Sequence, residues 1–374
     1  MQDTNKNAVN GQLSNTEIDI LTDVGFEAMK DRAATAVLAD HAQIVSVSND
    51  PNVIIMPLAQ ALKTYDFVQD LMFGLVDPEA NEHVAMVAEH MHDPLGHFIW
   101  VKKGAKVKLP VQTFTLLETP QARQFTHDVT LIDEGAEVEM ISGAAVPGAV
   151  HKGRHISVSE SYHRAGSKVT SVSIEHWGEA MEAYSYDYSR HEKGAQSRST
   201  SIMLNPIKYQ ESYSHSVLEE DANSVDQSIV FAPKGTERVM NTETILAGAG
   251  AKSEDIARMV SAGGRIANNA LLIGDAAGST GFLGCDGLKL SDEGEILAIP
   301  ALQAPREGAM LSHEASVGMI DSQRLEYLMA SGMDEDAARD LIVQGFLALD
   351  DDNLPPGMKA RVAEMISQAK SGGM

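Results

Sequence analysis

The chain has 374 residues and carries 29 Lys+Arg against 53 Asp+Glu, a formal net charge of −24. Hydrophobic residues at 43% and charged residues at 22% describe a globular chain. The acidic balance excludes nucleic acid or an anionic membrane surface as the main partner, since both require a basic face.

Met1 to Asn7 is polar and has no apolar h-region, and no apolar run is long enough to span a bilayer. The one cysteine, Cys285, rules out an intrachain disulfide and a Cys-based zinc knuckle. A cytoplasmic protein is expected, in which a single thiol serves as a reactive group, a ligand, or a group shared across a symmetry axis.

Residues 1–96 are expected to be a helical region. Ser14 to Glu17 has capping-box spacing, followed by Ile18, Leu21, Phe26 and Met29 at helical intervals. Val53 to Met56, ending at Pro57, suits a single strand, and further helical stretches break at Asp77–Pro78.

From 97 to 320 the character changes. Short segments of period 2 follow one another around Val107, Val129, Val138, His155, Val169 and Ser228. Tight turns recur at positions 135, 166, 194, 222, 235, 250 and 264, a ladder of about 28 residues with a half-step near 14. Two strands and two turns per coil use about 28 residues, because strands average roughly 5–6. The ladder predicts a parallel β-helix with two broad faces; an antiparallel sandwich is the competing arrangement.

Residues 321–374 return to helix. Asp321–Ser322 caps a first helix carrying Leu325 and Leu328 and ending at Gly332. A second helix runs from Glu335 through Leu341 to Phe346, and a third carries Val362, Met365 and Ile366. Three helices exceed what a solenoid needs to close its end.

Two apparent motifs dissolve on inspection. Gly248 to Ser253 looks like a phosphate loop, but Ala251 and Leu246 stand where Walker A requires glycine, so it reads as a turn. His90, His92 and His97 look like a metal cluster, but two-residue spacing puts the first pair on different helix faces, before the Asp93–Pro94 break. More promising are Cys285–Asp286 near the end of the β region and His313–Glu314 just before the C-terminal helices. A thiol, an imidazole and a carboxylate near a domain edge suit iron, with a two-fold axis supplying further ligands.

Ser312–His313–Glu314–Ala315–Ser316, with the acidic helix pair from Asp321 to Gly345–Phe346, resembles the C-terminal block of the SufB/SufD family. Cys285–Asp286, Asp133 to Ala136, His176–Trp177 and Phe98 to Gly104 resemble other family segments, so the likeness covers about residues 97–350 well.

The resemblance implies a right-handed parallel β-helix with helical ends, acting as a non-enzymatic scaffold for iron–sulfur cluster assembly. It implies a labile cluster, [2Fe-2S] or [4Fe-4S], on Cys285 and Glu314 with His313 beside them. It implies a homodimer through the β-helix, and release of the cluster to recipient apo-proteins. A SufC-type ABC ATPase would dock on the C-terminal helices, with Asp321, Leu325, Tyr327, Leu341 and Phe346 as the contact candidates. Trp177, Glu175 and Arg190 fall on or near interior positions of the family.

The chain departs from larger SufB proteins in lacking a second, earlier cysteine: the corresponding stretch, Ile141 to Pro147, has none. Sulfide, or a persulfide delivered straight to Cys285, is then the expected sulfur source. The alternatives are a SufD-like partner without its own cluster and, less supported, a β-helix enzyme acting on polysaccharide.

Overall fold

A computed structural model describes residues 12–27, 31–150 and 152–347, Ser322 by its backbone alone. Two sheets of ten and nine strands face each other. Along the chain, strands β4 (His97–Val101) to β19 (Met310–Met319) alternate between them, giving eight coils of a parallel β-helix. Even-numbered strands form one sheet and odd-numbered strands the other, each pairing with the strand two further on.

The coil step comes from one backbone feature. Residues 104, 135, 166, 194, 221, 250, 278 and 308 all have positive φ, one per coil, where the chain passes from the even sheet to the odd sheet. Seven are glycine, which adopts this conformation without steric cost, and the eighth is Asp221 at φ 55°. Successive turns hydrogen-bond to one another: Gly135 N–H donates to Ala165 O, and Gly166 N–H to Lys193 O, both at 2.9 Å. Turns at 235 and 263–264 lie on the other side of the coil, which explains the half-step in the sequence ladder.

The expected helical region at the N-terminus is only partly so. Helix α1 (Asn15–Asp23) starts at Ser14 with both bonds of a capping box. It is followed by β1 (Ala34–Ala39), β2 (Ala42–Ser48) and β3 (Val53–Pro57), and only then by the short helices α2 (Leu58–Thr64), α3 (Val68–Leu71) and α4 (Glu82–Ala88). β1 is buried along its whole length, so it lacks the alternation that marks a half-exposed strand. β1 pairs in parallel with β5 (Val111–Leu116), while β2 and β3 pair antiparallel with β1 and β4 and turn the first coil's edges back on themselves.

The C-terminal helices fall where the sequence places them. α5 (Ser322–Ala330) is capped by Asp321, whose side chain accepts from Gln323 N–H at 2.9 Å, and α6 (Glu335–Leu347) follows. The third helix, with Val362, Met365 and Ile366, lies outside the described residues. On the outward face of the odd sheet an apolar stripe runs through Phe114, Ile174, Ile229 and Leu288; Val24 and Phe26 pack on one end, Val343 and Leu347 on the other. No described helix is long and apolar enough to cross a membrane.

Candidate functional site

The face between the sheets is unusual for a solenoid. It is apolar near the ends but holds a chamber of about 480 Å³ in the middle, lined largely by serine and threonine. The lining follows from register. On the odd sheet, Thr113, Ser142, Ser173, Ser201 and Ser228 stand on successive strands in one column, which then reads Ala257, Cys285 and Ala315. Ser173 Oγ donates to Ser201 Oγ at 3.3 Å within it.

Five carboxylates, Asp128, Glu175, Asp187, Asp226 and Asp255, also face the chamber. Removal from bulk water raises Asp187 to about 6 and, helped by the Asp226 carboxylate, Asp255 to about 7. Burial works oppositely on the histidines and lowers His155 and His163 to about 4.

Cys285 lies on β17 (Thr280–Lys289) and is 2% exposed. Its side chain points inward, into a cluster with Met240, Met259 and Ile266, and Asn268 Nδ2 donates to its Sγ at 3.3 Å. Burial, and then the Asp255 carboxylate, raise its thiol pKa; the Asn268 bond opposes them.

The register with β19 decides which neighbours can join it. Cys285 is level with Ala315, Leu283 with His313, and Gly284 with Glu314. Side chains alternate along a strand, so His313 shares the inward face with Cys285, whereas Glu314 emerges on the outward face. The outward side also carries Ser316, whose Oγ donates to Asp286 Oδ1 at 2.6 Å. Both His313 and Glu314 are exposed, because β19 is the last strand and nothing described pairs with its free edge. No group of three or more metal-ligating side chains is preassembled among the described residues.

The interior candidates separate. Trp177 is buried, stacks on His155 at 5.1 Å and donates from Nε1 to Glu175 Oε2 at 2.8 Å; both side chains face inward. Arg190 is not interior: it points outward, exposed, and pairs with Glu219 at 2.6 Å. The cation buried between the sheets beside Glu175 is Arg238, which the sequence reading missed. It bonds Gln210 Oε1 and donates to Asn205 O at 2.5 Å, while Gln210 donates to Glu175. The signal for it is an arginine in phase with Met240, Thr242 and Thr244 on the inward side of β14 (Glu237–Leu246).

His90 and His92 are exposed outside the solenoid, whereas His97 is buried within it, so these three histidines form no site. Gly248 to Ser253 spans the turn into β15 (Lys252–Ala262), where Gly250 has φ 71°. Among the residues proposed to meet a partner, Tyr327 is 72% exposed and Leu341 is exposed; Leu325 is half-buried. Asp321 caps its helix and Phe346 packs against the apolar stripe.

The fold defines the chain's class as a two-sheeted parallel β-helix with helical ends, its cysteine one strand from the last strand. Residues 115–346 match the family model described as SUF system FeS cluster assembly, SufBD core domain. The chain is 31% identical over 352 residues to an iron–sulfur cluster assembly SufBD family protein of Archaeoglobus fulgidus, covering 94% of each chain. It is 29% identical over 347 residues to a SufBD family protein of Methanothermobacter thermautotrophicus, covering 92% of this chain and 85% of the relative. Iron–sulfur cluster assembly protein SufB of Bacillus subtilis is 25% identical over 259 residues, 67% of this chain and 55% of that one. The chain belongs to the SufBD family of iron–sulfur cluster assembly proteins.

Proposed function

We propose that this chain is the scaffold on which a labile iron–sulfur cluster is built, with Cys285 as the thiolate ligand, in the cytoplasm. The observation that carries the reading is position: the only cysteine lies one strand in from β19, whose outer edge no described strand pairs, with His313 on the same inward face. An unpaired parallel edge invites another chain, and a two-fold axis there would bring a second Cys285 and His313 to the same place. At the opposite end the sheets finish on β2 and β3, which run antiparallel to their neighbours.

Four thiolates are not available from two copies, so nitrogen or oxygen ligands must complete the cluster. Such a mixed set suits a cluster that is to be given away, since soft thiolates hold iron–sulfur clusters best. His313 is the nearer complement to Cys285 by face. Glu314, on the opposite face, would reach a shared iron only from the second copy or after the last coil shifts. Without a second cysteine, sulfide or a carried persulfide would reach Cys285 directly.

The exposed Tyr327 and Leu341, with Leu325 beside them, suit docking of a SufC-type ABC ATPase, whose hydrolysis would supply the energy; the chain itself would not be an enzyme. Recipient apo-proteins would take the finished cluster. A SufD-like partner role without a cluster is the second reading, and the presence of Cys285 disfavours it.

The test is anaerobic reconstitution of the chain with its ATPase partner, measuring iron, acid-labile sulfide and particle mass for wild type and Cys285→Ser. Near-equal iron and sulfide in a dimeric wild type, lost in the variant, is the expected result. No sulfide in either would sink the scaffold reading in favour of the SufD-like role.

A further inference from the structure

Among the described residues, one side chain hydrogen-bonds the sulfur of Cys285, and it comes from the other sheet. Asn268 lies on β16 (Arg265–Gly274), is 5% exposed, and directs Nδ2 at Sγ across the interior. Its column on the even sheet reads Ser157, Ser185 and Ser212, then Met240, Asn268 and Ala298. The amide therefore stands at the end of the chamber, where the column turns from hydroxyl-lined to apolar, beside Met240, Met259 and Ile266.

A buried amide among apolar side chains is unfavourable unless it is hydrogen-bonded. A neutral thiol is a weak acceptor for it. A thiolate, or a sulfur bound to iron, is a much stronger one, because charge-assisted bonds are about twice as strong as neutral ones. The pairing thus makes better sense for a sulfur that carries charge than for an inert core cysteine.

Building on the reading of Cys285 as cluster ligand, we propose that Asn268 is the positioning residue for that sulfur. Its amide N–H, projecting from the opposite sheet, fixes the direction of the sulfur and stabilises it when it binds iron. Partners of this kind around metal ligands typically contribute 10–100-fold to metal affinity, and hydrogen bonds to the sulfurs set the potential of a cluster.

The test uses the full chain reconstituted anaerobically as wild type, Asn268→Leu, Asn268→Ala and Cys285→Ser. Leucine fills the volume among its apolar neighbours and alanine empties it, but both remove the donor. Two properties are read: the rate at which an added chelator strips iron, and the reduction potential of the cluster.

A donor role predicts that both Asn268 variants lose iron about 10–100-fold faster and shift the potential negative together. If Asn268→Leu matches wild type in both properties, whatever Asn268→Ala does, the residue is packing and the inference is overturned. A wild type without a cluster, or a Cys285→Ser chain with an equal one, overturns the underlying reading of Cys285 instead. The thermal midpoint of each variant reports whether it is folded.

Discussion

Arg238 shows how a single side chain can tie the two sheets together. Its guanidinium is fully buried, and burial presses it down to about 10 although Glu175 pulls the other way. It survives there because Gln210 Oε1, Asn205 O and Phe231 O accept from it. Arg238→Ala leaves those acceptors without their donor and opens a cavity, so it is expected to cost about 3 kcal/mol or more. Urea denaturation should show a lowered midpoint with an unchanged slope. Arg238→Met, which keeps most of the volume, should lose less.

The same residue marks a limit of reading the site from sequence. Arg190 and Arg238 both sit in strands, and only strand phase separates the outward from the inward one. Phase also divides His313 from Glu314, which are adjacent in sequence and face opposite ways. Cys285 was legible as the only thiol; its direction and its partner Asn268 were not, because both depend on which sheet lies opposite.

At the level of the elements, the turn column sets the architecture. Gly135, Gly166 and Gly194 have φ of 65–68°, and a Cβ there would meet nothing within 4 Å. Their requirement is conformational, so Gly166→Ala should cost about 1 kcal/mol with the fold retained. Gly143 is the contrasting case: a Cβ would stand 2.7 Å from Val24 O, so alanine there would push α1 off the sheet. Limited proteolysis separates the two, with cleavage near α1 accelerated in Gly143→Ala and not in Gly166→Ala.

Because every coil but the one turning at Asp221 repeats a glycine there, the coil step was legible without any strand being assigned. Several strands were not. β12 (Tyr209–Leu218) reads Glu211–Ser212–Tyr213–Ser214–His215–Ser216 across its middle, with serines facing the chamber and larger groups outside. It alternates by size and not by hydropathy, so a search for apolar periodicity passes over it. β1 fails for the opposite reason, being apolar on both faces and rich in alanine. The Asp321 cap and the break at Gly332, with φ 100°, follow strong local rules, and the two helices they bound were legible accordingly.

For the molecule as a whole, the chamber couples folding to pH in two opposed directions. Asp187 and Asp255 have folded pKa values of about 6 and about 7, above the ordinary carboxyl value. The folded chain therefore binds their protons more tightly than the unfolded chain does. Their contribution is fully present below about pH 4 and is lost as pH rises through 6 to 7. His155 and His163 behave inversely: with folded values of about 4, their contribution is present above about 6.5 and is lost as pH falls through 4.

Between about pH 4 and 6.5 the two sets change in opposite directions, two carboxyls against two histidines, so their slopes nearly cancel in the wild type. Repulsion within a chain of net charge −24 adds a loss as pH rises, and a variant lacking one chamber carboxyl separates the chamber's part from it. Asp187→Asn removes a titrating group that faces the chamber and takes a hydrogen bond from Ser159. It should remove one downward slope between about pH 4 and 6, so that the variant's stability rises with pH across that window where the wild type is nearly level. Thermal midpoints across that range decide the matter. An unchanged profile between about pH 4 and 6 in Asp187→Asn would mean that chamber water solvates the carboxylate nearly as well as bulk water does. The serine columns would then serve to hydrate the interior of the solenoid, not to desolvate its acids.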